Sequence, residues 1–178
     1  MRVETFVRDL SAARIGTTFN FYRDGKRAGL RRARLAEYLE ARREARLLLV
    51  GEAAGYRGAR VSGIAFTSER QLTGDPPGEA SATIVRRVLA DLGLAEDVLL
   101  WNVVPTHPHR AGRPASNRAP TKGEIEAGMR FVRELACGRS VIAVGRVAQR
   151  ALGGPYVRHP SHGGAALFRV GLADYASS

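Results

Sequence analysis

Four short apolar runs constrain this chain most: Leu47–Val50, Asp97–Val104, Ser140–Val144 and Tyr156–Arg158. Each reads as a buried strand, and helical patterns lie between them. Leu35, Tyr38 and Leu39 recur at helical spacing within residues 30–46. Ile84, Val85, Val88, Leu89 and Leu92 share one face within residues 79–92. Thr121 and Glu124 form a capping box that opens a helix to about Ala136. A short helix over Arg146–Leu152 and a last one over 165–175 complete the alternation. Apolar strands alternating with helices make a parallel sheet covered on both faces. The expected fold is therefore α/β, a three-layer α/β/α sandwich on a central four-stranded parallel sheet, with residues 1–178 as one domain.

Residues 1–28 carry an aromatic knot, Phe19, Phe21 and Tyr22, which caps the core or flanks a groove. The stretch from Tyr56 to Pro77 reads as a long loop, and loops of that length inside a domain are usually functional. No run approaches the roughly 18–20 apolar residues of a membrane span, and the first residues lack a signal-peptide core. A cytoplasmic monomer is expected.

The sole cysteine, Cys137, excludes an internal disulfide and a cysteine-ligated zinc or iron–sulfur centre, and reads as a small core residue. The histidines fall in two pairs, His107/His109 and His159/His162, neither at zinc spacing, so no metal is expected. A formal charge of +11, from 28 Lys+Arg against 17 Asp+Glu, favours polyanionic partners.

In open parallel sheets, ligands bind beyond the carboxyl ends of the strands. Gly51-Glu52, Asn102, Gly145 and His159 each close or follow a strand here. The first strand ends in GEAAGYRG, a turn that lets backbone approach a ligand. It lacks the lysine of a P-loop and the G-x-G-x-x-G of a Rossmann site, so a nucleotide cofactor is not expected. Glu52 places a carboxylate at the mouth of the sheet; its alternative role is a helix N-terminal charge. Asn102 ends an apolar run, where an unpaired amide costs about 1–3 kcal/mol. It is either a structural hydrogen-bonder or a reader of a base edge, since one amide offers a donor beside an acceptor. His159, in His-Pro-Ser-His-Gly-Gly, is suited to steadying negative charge on a leaving group.

The ordered set GEAAGYRG, GIAFTSE, WNVVP and HPS resembles the motifs of the uracil-DNA glycosylase superfamily, over about residues 47–164. It is most similar to bacterial branches with a Gly-Glu-Ala first motif, here without the iron–sulfur cysteines. The resemblance implies uracil excision from single- or double-stranded DNA without a cofactor. Glu52 would then activate water or stabilise the sugar cation, with Asp75 and His109 as rivals for the water. His159 would stabilise the uracil anion. Gly51 and Ala53 would bring backbone to the base, Tyr56 would crowd its C5 position, Phe66 would stack on it and Asn102 would read its edge. Arg57, Arg60, Ser161, His162 and Gly163 would grip the DNA, and residues 163–167 would carry the wedge that fills the emptied stack. Two other outcomes remain open: a catalytically weak binder of damaged DNA, and a glycosylase for other deaminated bases such as hypoxanthine or xanthine.

Overall fold

A computed structural model describes residues 1–176. Four strands, β1 (Leu47–Ala53), β2 (Val98–Val104), β3 (Ser140–Val144) and β4 (Tyr156–Val157), form one sheet in the order β2-β1-β3-β4. All three pairings are parallel. Helices α1 (Val3–Ala12), α2 (Ala28–Ala41), α6 (Lys122–Ala136) and α7 (Arg146–Leu152) contribute to the core on one face. Helices α5 (Ala80–Asp91) and α8 (Ala165–Ala176) cover the other. The three-layer expectation holds. The strand pleat explains the sorting: Leu48 and Val50 enter the first core, Leu47 and Leu49 the second.

The first helix was not legible as such, although Val3, Phe6, Val7 and Leu10 stand at three- and four-residue spacing and are all buried. Phe6 packs edge-on against Trp101 and Phe131, with ring centroids 5.5 Å away in both cases. Such a buried ring is worth roughly 1.5–3 kcal/mol from its apolar area. The aromatic knot caps the core, since Phe21 and Tyr22 are fully enclosed. The Tyr22 hydroxyl donates to the Gly63 carbonyl at 2.8 Å.

That bond fixes part of the stretch read as a long loop. The stretch contains two short helices, α3 (Ala59–Ser62) and α4 (Glu69–Thr73). Glu69, buried at the start of α4, is clamped by Arg27 and Arg34 around α2. Hydrogen bonds from Arg34, then Arg27, hold its carboxyl below the usual range. A one-turn helix has almost no periodicity to read, so only these tertiary ties reveal it.

Cys137 corrects the reading of a core residue. Helix α6 ends at Ala136, and the thiol is exposed at its C-cap. Among the described residues, no helix is long and apolar enough to cross a membrane.

Candidate active site

A cleft of about 490 Å³ opens at the carboxyl edge of the sheet. Glu52, Ala53, Phe66, Asn102, His159, Ser161 and His162 all line it. These residues come from β1, the α3–α4 segment, β2 and the loop after β4. Sequence spacing between them exceeds a hundred residues, and parallel topology alone brings them together.

Gly51, expected to meet the base, does not itself line the cleft but lies beneath the lining residues Phe66 and Asn102. It is paired in register with Asn102 on the neighbouring strand. A Cβ at Gly51 would lie 2.8 Å from Phe66 Cε2, closer still to Phe66 Cζ, and 2.9 Å from Asn102 Oδ1. Glycine is thus required for the ring and the amide to meet over the strand. Phe66 adopts φ +51°, a strained conformation for an aromatic residue. Its ring faces that of His159, with centroids 6.2 Å apart and planes inclined by 36°.

Asn102 lies within β2 and not at its end, since the strand continues to Val104. It is 5% exposed, and its amide has no hydrogen-bond partner among the described residues. A buried amide left open in this way is poised for a ligand that supplies both an acceptor and a donor. The structural role considered from sequence, bonding to a nearby turn, is not what the amide does.

Glu52 is half-buried near the end of β1. Burial pushes its carboxyl up, and the Arg150 charge pulls it partly back. The backbone that follows is pinned at Ala54. Its N–H donates to the Val104 carbonyl at 3.2 Å, and its carbonyl accepts from His107 Nδ1 at 2.8 Å. A carbonyl can only accept, so His107 carries its proton on Nδ1. Asn117 Oδ1 accepts from the Tyr56 N–H at 3.1 Å, tying the turn after β1 to the loop after β2.

His159 can be assigned a tautomer by the same logic. Its Nδ1 receives the Ser161 backbone N–H at 3.2 Å and lies 2.7 Å from the Ser161 hydroxyl. An N–H only donates, so Nδ1 is the acceptor and the proton sits on Nε2. Burial, with the nearby Arg158 and His162, pushes the ring pKa down and favours this neutral form. His162 bonds Ser161 Oγ at 3.0 Å and has φ +52°. Gly164 lets this loop close, because a Cβ there would strike the His159 carbonyl.

Other expected site residues stand outside the cleft lining. Tyr56 and Arg57 stack on each other at its rim, the guanidinium 5.3 Å from the ring centre. Arg60 lies over the Phe19 ring at 5.7 Å. Gly163 follows the lining residues His162 and Ser161. Of the rival water activators, neither borders the cleft. Asp75 is exposed beyond α4, and His109 stacks on His107 and bonds the Arg110 carbonyl. The sequence reading missed several polar lining residues, among them Asn117, Arg118, Arg158 and Glu79, the residue before α5. The only signal for Glu79 is an acid at a helix start, which ordinarily denotes capping.

The fold and this cleft define an α/β enzyme that takes its ligand at the carboxyl edge of a parallel sheet. The sequence profile of the uracil DNA glycosylase superfamily matches residues 39–171, and the chain belongs to that superfamily. It is accordingly a DNA glycosylase, a hydrolase of DNA repair. Its fold is similar to the crystal structure of wild-type SMUG2 of Pedobacter heparinus, with a TM-score of 0.67 and 13% sequence identity. The match covers 98% of this chain and 95% of that one. No curated protein matches in sequence.

Proposed function

We propose that this protein removes uracil from DNA and leaves an abasic site. The observation that carries the reading is the open Asn102 amide beside Phe66, above a glycine floor. Uracil presents O4 and N3–H side by side, which match one donor and one acceptor. Phe66 stacks on the extruded base, an interaction worth about 1–3 kcal/mol. Extrusion costs a few kcal/mol, least from mismatches and single strands. Arg57, Ser161, His162 and Gly163 offset that cost by gripping phosphates at the rim. Leu167 on α8 is 62% exposed and serves as the wedge.

In this reading the glycosidic bond breaks with its electron pair on the base. The N–H at His159 Nε2 donates to uracil O2 and steadies the anion, a contribution on the order of 3–4 kcal/mol for one well-placed donor. A neutral imidazole suits this role because it donates without having to lose a proton. Glu52, carried at the cleft mouth, faces the sugar as it becomes cationic.

The test is a single-turnover assay on single- and double-stranded oligonucleotides carrying uracil, hypoxanthine or xanthine. Release of free uracil at the highest rate supports the reading. Faster release of a deaminated purine transfers the activity to that base. Binding without release of any base refutes the enzyme reading in favour of a damage-binding protein.

A further inference from the structure

The partly and fully buried acids of this chain divide into two sets. Asp24, Glu69, Asp97 and Glu124 each lie in an ion pair with arginine. Glu52 and Glu79 do not, and both line the cleft. With 28 Lys+Arg in the chain, a partner for a structural carboxylate is never far in sequence. Burying one without a partner is unfavourable for the charged form, so such a carboxyl holds a proton more readily than an exposed one.

Glu79 has further marks that set it apart from an ordinary capping residue. It stands at the N-cap of α5, yet its side chain makes no cap hydrogen bond. The carboxylate turns instead against the GEAAGYRG turn. A Cβ at Gly55 would lie 2.7 Å from Glu79 Oε1, and one at Gly58 2.8 Å from Glu79 Cδ. The two glycines leave the space that the carboxylate fills. Charged or titratable neighbours around the cleft are Glu52, Arg118, Arg146, Arg158, His159 and His162. None forms an ion pair or hydrogen bond with Glu79 among the described residues. Arg118 is committed to Glu124, Arg146 lies over the Tyr156 ring, and Arg57 in the adjoining turn covers Tyr56.

We propose that Glu79 is a second catalytic carboxylate of this cleft, the base that takes the proton of the attacking water. The proposal rests on the glycosylase reading and divides the labour within it. Water oxygen bonds to C1′ of the sugar, the C1′–N bond breaks, and its electron pair departs with the base. The water proton passes to the Glu79 carboxylate and from there to solvent. Glu52, which feels the Arg150 charge, remains the electrostatic partner of the sugar cation. Burial pushes the Glu79 carboxyl up, which brings a base closer to working pH.

The experiment compares wild type, Glu79→Gln, Glu79→Asp and Glu52→Gln in single-turnover assays on uracil DNA across pH, with DNA affinity measured in parallel. The wild-type rate should fall as pH drops through a midpoint above the usual carboxylate range, because a protonated Glu79 cannot accept a proton. Glu79→Gln should lose about 100-fold or more in rate and lose that acid limb, with affinity within a few fold. Glu79→Asp should keep the limb at reduced rate, and Glu52→Gln should keep it at its own lower rate. Full rate in Glu79→Gln, or a limb that vanishes in Glu52→Gln and persists in Glu79→Gln, overturns the assignment while leaving the glycosylase intact. If Glu79→Gln does not fold, a flat wild-type profile or a Glu79→Asp variant without the limb overturns it. No base release by wild type refutes the glycosylase reading and this assignment with it.

Discussion

Gly51→Ala tests the site at its floor. Carbon–carbon contacts settle at about 3.5–4.0 Å. The added methyl would stand 2.8 Å from Phe66 Cε2 and closer to Cζ, so the ring must retreat by about 1 Å. Asn102 Oδ1, at 2.9 Å, must turn aside as well. The ring cannot relax freely: its backbone is already at φ +51°, and His159 faces it 6.2 Å away. Overpacking of this kind costs about 1–3 kcal/mol. At this chain length each kcal/mol lowers the melting point by about 2–4 °C. Misplacing the stacking face and the reading amide by about 1 Å costs on the order of 100-fold in rate. Thermal unfolding and single-turnover excision on the same preparation separate the two effects. A Gly51→Ala protein that melts and cleaves like wild type would show that Phe66 and Asn102 do not meet over this glycine. It would remove the geometric basis of the pocket.

Three further outcomes are expected. Asn102→Ala should abolish uracil release and keep DNA affinity within a few fold; surviving cleavage would sink the base-reading role. His159→Ala should slow the chemical step by about 100-fold or more, and an unchanged single-turnover rate would take the imidazole out of the mechanism. Glu124 concerns stability and not chemistry: hydrogen bonds from Arg118, aided by the Thr121 N–H, hold its carboxyl down to about 2. A carboxyl moved from 4.5 to about 2 carries roughly 3 kcal/mol of pH-dependent stability. Its folded-state pKa is depressed, so this stability is present above about 4.5 and fades as pH falls towards about 2. Glu124→Gln should therefore be less stable than wild type at pH 7, and the gap should narrow on acidification. Denaturant midpoints at several pH values decide it, and a gap that is constant with pH contradicts the ion-pair account.

The sequence by itself determined the sheet. Runs such as Leu47–Val50 and Val98–Trp101 are apolar on both faces of the strand, and only a parallel sheet between helices buries both. It also placed Glu52, Asn102 and His159 at one edge, because parallel strands point their carboxyl ends the same way. Helix α1 escaped the sequence reading although Val3, Phe6, Val7 and Leu10 keep helical spacing, because the residues around it are mixed; α3 and α4 escaped it because one turn has too little periodicity to register. Tertiary structure alone decided which polar groups have partners. Glu69 and Glu79 both stand near helix starts in the same stretch, and sequence treats them alike. The fold brings Arg27 and Arg34 to the first and only the bare backbone of Gly55 and Gly58 to the second. It likewise withdrew Asp75 and His109 from the cleft and exposed Cys137. A carboxylate's environment is set by neighbours distant in the chain. Strand and helix formation depend mostly on local pattern, whereas the availability of an acid for chemistry depends on what folding packs against it.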